Sequence, residues 1–276
     1  MKGTRAERGG ALPEYRLKAR NTSTQSENAI HHDDVARRYG FGGGLVPGVT
    51  VYAYVTRPLV EAWGPAWLER GTASVRFTRP VLDGEDTQVA GAMDRGGQGI
   101  TATVTVRTGA GDCSTATATL PEAPGAAPDP AAYAEAPLPA ERPPAIAANL
   151  APGKVMGSPV NRYDEVRAAE WLDKVSDGLS LYRGRDAFVH PAYYLDQANK
   201  ALSLNVRLGP WIHAGSVIQH FSAARLGETL VTRGRVRSLF EKKGREFVEL
   251  DLLISADDRP VAQVFHTAIY RLPDPK

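Results

Sequence analysis

Two stretches of this chain can be laid on one another. Residues 74–91, SVRFTRPVLDGEDTQVAG, align with residues 217–234, VIQHFSAARLGETLVTRG, so that Gly84-Glu85 falls on Gly227-Glu228 and Gly91 on Gly234. The offset is 143 residues. The same offset carries Val46-Pro47-Gly48 onto Val189-His190-Pro191, each at the entry to an apolar segment, VTVYAYVTRPLVEAW in one case and AYYLDQANKALSLNV in the other. Agreement in order and spacing over a helix entry and a strand pair is the mark of a duplicated unit. A chain built this way folds as two like halves, and whatever buries one helix must bury the other.

Between the copies lies PEAPGAAPDPAAYAEAPLPAERPPAIAANLAPG, residues 121–153. Proline fixes φ and removes backbone donors, so this segment is predicted to run extended, as a semi-rigid connector. The expected organisation is an N-terminal repeat over 1–120, the Pro/Ala-rich linker over 121–153 and a C-terminal repeat over 154–276. The apolar fraction of 42% over 276 residues is enough for a sizeable core. A net charge of +2 gives no electrostatic footprint for nucleic acid. The single cysteine, Cys113, excludes an intramolecular disulfide and a cysteine-based zinc site, and reads as a buried strand residue. No clustered His/Asp/Glu set has metal-ligand spacing, and no metal or other cofactor is expected. No stretch reaches a membrane span and the N-terminus lacks a signal peptide's apolar core, so a cytoplasmic protein is expected.

Each half reads as a short strand, an irregular segment, one long helix and three or four antiparallel strands. The apolar segments of about 15 residues are apolar on most sides, which is the pattern of a buried helix. Pro58 interrupts the first and is expected to kink it. ITATVTVRT (100–108) and STATATL (114–120) alternate strictly, with a turn at GAGD. In the second half LVTRGRVRSLF, REFVELDLLIS and PVAQVFHTAIYRL are strand-like, turning at EKKG and ADDR. A curved antiparallel sheet wrapped around one central helix fits this order, because it buries the helix's full girth without a second helical layer. That arrangement is the hot dog, and two copies give an α+β double hot dog. The alternative is a two-domain α+β protein whose halves do not share a sheet.

The chemistry is concentrated in SENAIHHDDVARRYGFGGGLVPG, residues 26–48. This stretch resembles the signature of MaoC-type hot-dog dehydratases, the R-specific enoyl-CoA hydratases, whose motif runs Asp-x-Asn-Pro-[Ile/Leu]-His-x-Asp, then Ala, then Gly-Phe, then a His-Gly pair opening the central helix. Asn28, Ile30, His31, Asp33, Ala36, Gly40, Phe41 and Gly48 match in order and near the usual spacing. The detailed fit covers about 25 residues. Ser26 stands where the family has its catalytic aspartate, and Pro47 where it has the histidine of the His-Gly pair. The resemblance implies addition or removal of water at an enoyl or 3-hydroxyacyl thioester carried by coenzyme A or an acyl-carrier protein. Such chemistry needs a base for water, a proton for Cα and donors for the enolate oxygen. His31 suits the base or water ligand, since an imidazole titrates near neutrality, and a structural turn histidine is the competing reading. Asn28 is expected to hold the loop or the acyl carbonyl. Gly48 and Val49 are expected to supply open backbone N–H donors at the helix N-terminus, with glycine admitting the thioester. Ser26 can hydrogen-bond water but cannot replace a carboxylate base. Asp33 is expected to cap the short helix that follows. His32 reads as structural.

VHPAYYLDQANKAL, residues 189–202, resembles the His-Pro…Leu-Asp helix of polyketide-synthase dehydratase domains, although Asp196 lies six residues after His190 where that family usually has five. Counted from the helix entry, Asp196 occupies the place of the acidic residue in fatty-acid β-hydroxyacyl dehydratases. It is therefore a candidate partner for His31 from the other half, against a surface-facing carboxylate. His190 is a candidate substrate contact or a helix cap. GPWIHAGS (209–216) reads as a turn into a strand, with Trp211 as core and His213 as a strand residue, against a place at a tunnel rim. Two further functions stay open: thioester hydrolysis at the same donors, and acyl-ligand binding without turnover. A double hot dog satisfies sheet pairing internally, and a homodimer of double hot dogs is one further assembly open to it.

Overall fold

A computed structural model describes residues 10–96 and 99–274. In the first half β1 (Tyr15–Lys18), α1 (Asp33–Arg38), α2 (Gly48–Trp63) and α3 (Pro65–Arg70) precede β2 (Thr72–Phe77), β3 (Asp86–Gly96), β4 (Gly99–Thr108) and β5 (Gly111–Pro121). In the second half β6 (Val155–Met156), β7 (Val160–Arg162), α4 (Glu165–Val175) and α5 (Pro191–Ser203) precede β8 (Ile212–His220), β9 (Thr229–Lys242), β10 (Arg245–Ala256) and β11 (Arg259–Arg271). The strands form one antiparallel sheet in the order β1-β3-β4-β5-β2-β8-β11-β10-β9-β6, with β7 also on β9. Read outward from the β2–β8 seam, the two halves have matching strand orders. Equivalent strands meet antiparallel at that seam, from Thr72 opposite Gln219 to Arg76 opposite Gly215, as a local twofold requires. The halves share a sheet, and the double hot dog is the fold.

The offset of 143 recurs in the backbone. Val46 N–H donates to the Val81 carbonyl at 2.8 Å, and Val189 N–H to that of Ala224 at 2.9 Å. Leu45 bridges Leu82, and Phe188 bridges Arg225. The carboxylate of Glu85 accepts from the Leu82 N–H at 2.8 Å, and that of Glu228 from the Arg225 N–H at 2.6 Å. Gly84 and Gly227 both sit at positive φ, 75° and 90°, which only glycine adopts freely. The repeated Gly-Glu pair is thus a turn in which the glycine supplies the backbone and the glutamate satisfies it.

α2 is buried from Val49 through Thr56 and again from Pro58 to Val60. Burial on every side follows from a sheet curled around it. Pro58 does not break the helix. It removes the N–H that the Tyr54 carbonyl would accept, and the hydroxyl of Tyr15 donates to that carbonyl instead, at 2.7 Å. α5 carries its proline at the first helical position, where no donor is lost.

The linker packs against the second half. Its 3-10 turn Pro130–Ala132 leads Tyr133 onto the outer face of the second half's sheet, where the Tyr133 hydroxyl donates to Asp251 at 2.7 Å and accepts from Gln263 at 2.7 Å. This cover explains why β10 is buried almost continuously from Val248 to Ala256. Further on, Leu150 is fully buried in the core. No helix is long and apolar enough to cross a membrane among the described residues.

Candidate active site

The glycine run of residues 42–44 holds the His31 loop in place. A Cβ on Gly44 would collide with the His31 carbonyl, so only glycine allows the two segments to touch. Gly44 N–H donates to Asp33 Oδ1 at 2.8 Å, and Asp33 Oδ2 pairs with Arg37 at 3.0 Å. Asp33 therefore ties the loop to the glycine run and does not cap α1, whose N-cap is His32. The Gly44 N–H and the Arg37 guanidinium hold the Asp33 carboxyl below its usual range.

Asn28 caps the 3-10 turn Ala29–His31 and reaches across the molecule. Its amide donates to the Trp211 carbonyl at 3.0 Å, and its Oδ1 accepts from the Trp211 N–H at 3.2 Å. A single amide thus clasps the first half's loop to the entry of β8. His31 Nδ1–H donates to the Leu45 carbonyl at 2.7 Å. That bond fixes the tautomer and leaves the lone pair on Nε2, which lies 3.4 Å from the Asn28 amide nitrogen. Burial pushes the His31 pKa down to about 4, and the Leu45 bond only partly opposes it. The ring is neutral at pH 7. Ser26 Oγ donates to the Asn28 carbonyl at 3.2 Å, which spends its hydroxyl proton inside the loop. His32 Nε2–H donates to the Ser26 carbonyl at 3.0 Å, a structural bond.

At the start of α2 the N–H groups of Thr50 and Val51 both turn back on the Pro47 carbonyl, at 2.9 and 3.1 Å. Those of Gly48 and Val49 are left as the open donors of the first turn. The side of Gly48 that a Cβ would occupy faces His213, whose Nδ1 would lie 3.0 Å away. Glycine at this position makes room for that ring.

A cavity of about 410 Å³ joins these parts. Ser26, Asn28, His31, Gly48 and Val49 line it, and so does Asp196 from α5. Asp196 is thus a half-buried carboxylate on the cavity wall. Asp196, Asn199, Lys200 and Ser203 recur at helical spacing and line the cavity together with the apolar Ile30, Phe41, Val51, Val81 and Ile212. Asp196 pairs with Lys200 at 3.1 Å, and Asn199 Oδ1 is buried with no hydrogen-bond partner. Arg142 of the linker also lines the cavity, pairing with Glu27 at 2.8 Å and donating to the Ser203 carbonyl at 3.0 Å. Neither Arg142 nor Asn199 stands out in the sequence, because their positions follow from where the linker and α5 pack.

His190 is a correction. It lies outside the cavity, fully buried, with Nδ1 accepting from the Ala192 N–H at 3.1 Å and Nε2 on Asp177 at 3.2 Å. It caps α5 and makes no substrate contact, because the rings of Tyr182 and Trp171 close over it.

No protein-family model matches the chain, and no curated protein matches it by sequence. Solved structures do. A putative MaoC domain protein dehydratase from Chloroflexus aurantiacus is 12% identical, with 98% of this chain and 97% of that one covered and a TM-score of 0.64. A conserved hypothetical protein of Mycobacterium tuberculosis described as having a double hotdog fold is 16% identical, with 95% and 96% covered and a TM-score of 0.63. A putative oleoyl thioesterase from Lactobacillus plantarum is 11% identical, with 95% and 98% covered and a TM-score of 0.50. The chain has the double hot-dog fold, and over nearly its whole length it is similar in structure to MaoC-like dehydratases that share it.

Proposed function

We propose that this protein adds water to, or removes it from, an enoyl or 3-hydroxyacyl thioester, with coenzyme A as the first carrier to test. The observation that carries this reading is that the His31 imidazole, with its lone pair on Nε2, and the open N–H donors of α2 line one cavity. In hydration a water oxygen bonds to Cβ while Nε2 takes its proton. The electron pair of the Cα–Cβ double bond moves toward the thioester oxygen, which the Gly48 and Val49 N–H groups stabilise. The enolate then collapses and Cα takes the proton back from the imidazolium. One imidazole serves both steps and returns neutral, and water adds to one face. A ring whose pKa is about 4 is a weak base but a ready acid, so the second step is the easier one. Asp196 faces the same space from the opposite half.

The test is the loss of enoyl absorbance with crotonyl-CoA. Wild-type protein is expected to turn over and His31→Ala to fall to background; an unchanged rate in that variant removes His31 from the mechanism. The rate is expected to be flat above about pH 5 and to fall as His31 protonates near pH 4.

Ser26 and Pro47 favour a second reading. With no carboxylate at position 26 and no histidine at 47, the site suits an acyl-thioester binder without turnover. The open donors would equally hold the oxyanion of thioester hydrolysis, which free-thiol release detects. Binding of acyl-CoA with neither signal selects the binder.

A further inference from the structure

We infer that the linker and the loop after α5 bind the phosphorylated nucleotide head of coenzyme A, with Arg142 and Arg207 on its phosphates; this rests on the thioester reading above and commits it to the free coenzyme as carrier. Charge is the first observation. Among the described residues, six cationic side chains line the cavity, Arg79, Arg142, Lys174, Lys200, Arg207 and Arg245, against two carboxylates, Glu27 and Asp196. That is an excess of four positive charges around one cavity, in a chain whose net charge is +2. Both carboxylates are already paired, Glu27 with Arg142 and Asp196 with Lys200. Arg207 is exposed, and no carboxylate among the described residues pairs with it. The thioester end of a substrate needs none of this charge, since the open N–H groups of α2 serve it. Coenzyme A carries about four negative charges on its diphosphate and 3′-phosphate, whereas a pantetheine arm carries none.

The fold then places two of these arginines at a junction. A second hollow adjoins the cavity, formed by residues 138–142 of the linker with Leu204 and Arg207, and Arg142 and Arg207 line both. Backbone bonds pin the linker to the loop after α5: Arg207 N–H donates to the Pro143 carbonyl at 2.7 Å, and the Arg207 carbonyl accepts from the Ala145 N–H at 3.0 Å. Arg142 is anchored by donating to the Ser203 carbonyl at 3.0 Å. Its bond to Glu27 at 2.8 Å is the one a ligand can exchange, because the Glu27 side chain is 80% exposed and an exposed ion pair contributes little. Guanidinium forks match phosphate oxygens two at a time. The rest of the second hollow is mainly apolar, with Leu138, 40% exposed, beside Pro139 and Leu204, a surface that a flat base covers. Glu141 is the acid that lines it, and it suits the exocyclic amine of adenine. The site thus fits a ligand with a thioester in the cavity, phosphates at the junction and a base in the hollow. That is the order of parts in acyl-CoA.

The experiment is titration calorimetry of the full chain with coenzyme A and with pantetheine, beside kinetics with their crotonyl thioesters. Coenzyme A is expected to bind about 100-fold more tightly than pantetheine, and less tightly as salt rises. Arg142→Gln and Arg207→Gln should each weaken coenzyme A about 10-fold and raise KM for crotonyl-CoA by the same factor, with kcat unchanged. Arg16→Gln, the same change of charge on β1, should leave both values as they are. Leu138→Ser should weaken coenzyme A by a smaller factor, about 3-fold. Pantetheine that binds as tightly as coenzyme A overturns the inference, and that comparison needs no variant. So does an Arg142→Gln/Arg207→Gln double variant that binds coenzyme A as the wild type does. Equal kcat/KM for crotonyl-phosphopantetheine and crotonyl-CoA overturns it too, in favour of a protein-borne carrier. The two readings fail separately. Arginine-dependent binding of coenzyme A without hydration overturns the hydratase reading and keeps this site. Hydration of crotonyl-pantetheine with no gain from the nucleotide head overturns this site alone.

Discussion

The two halves share a backbone and differ in what fills it. In the first, Leu45 N–H bonds the Ile30 carbonyl at 3.3 Å; in the second, Phe188 N–H bonds that of Leu181 at 3.0 Å. The residue after each acceptor closes a 3-10 turn, which sets His31 against Tyr182. Five residues earlier, Ser26 stands against Asp177, and at the helix entry Pro47 stands against His190. The carboxylate and imidazole missing from the first half's motif are therefore present in the second, where they bond each other. Tyr182, Trp171 and Tyr193 occupy the space, with Trp171 and Tyr193 in edge contact at 5.1 Å. One copy has opened into a cavity and the other has closed into a core. A reactive pair is inert when nothing can reach it, and a single imidazole becomes a candidate when a cavity can.

The largest expected effect tests the closed copy. His190→Ala leaves Asp177 buried without its partner and should cost about 3–5 kcal/mol in denaturant unfolding, while the rate per folded molecule holds. A loss of activity at unchanged stability would show that the pair serves the reaction. Next, Ser26→Asp places the second half's carboxylate in the first. It should raise the His31 pKa, move the acid limb of the rate profile up from near pH 4, and raise kcat/KM by about 10- to 100-fold. An unmoved limb would show that residue 26 does not act on His31.

A smaller effect separates the two helices. Tyr15→Phe strands the Tyr54 carbonyl in α2 and should cost about 1–3 kcal/mol; α5, with no internal proline, has no such dependence. The last concerns pH. Burial lowers the pKa of His31 to about 4 and of His220 and His266 to about 3, and that of His213 as well. The unfolded chain takes up these protons near pH 6.5 and the folded one does not. Stability is therefore full above about pH 6.5 and declines as pH falls below it. Three of the four lie on second-half strands, so His31→Asn should leave most of the slope. A slope that vanishes in that variant would put the acid sensitivity in the cavity.

Much of the fold is legible along the chain because its causes are local. The Gly-Glu turns, the alternation of β4 and β5, and the fully apolar helix entries each depend on residues within a few positions. α4 was not anticipated. Four of its eleven residues are buried, Ala168, Trp171, Leu172 and Val175, a narrow stripe in a polar segment beside the linker. The linker misleads for a related reason: its prolines describe its backbone and say nothing of Tyr133 and Arg142, which anchor it. Of the site, the loop and the helix tip were readable from one contiguous motif. The walls were not.

By itself the sequence determined a duplicated helix-and-sheet unit, the entry points of both central helices, and a histidine just ahead of the first. Only the tertiary structure decided that Asp196 joins His31 at one cavity, that His190 is sealed away, and that His213 meets Gly48. The physical reason is that side-chain periodicity specifies which face of an element is buried but not which element covers it. That choice was made where β2 pairs with β8, between segments 143 residues apart.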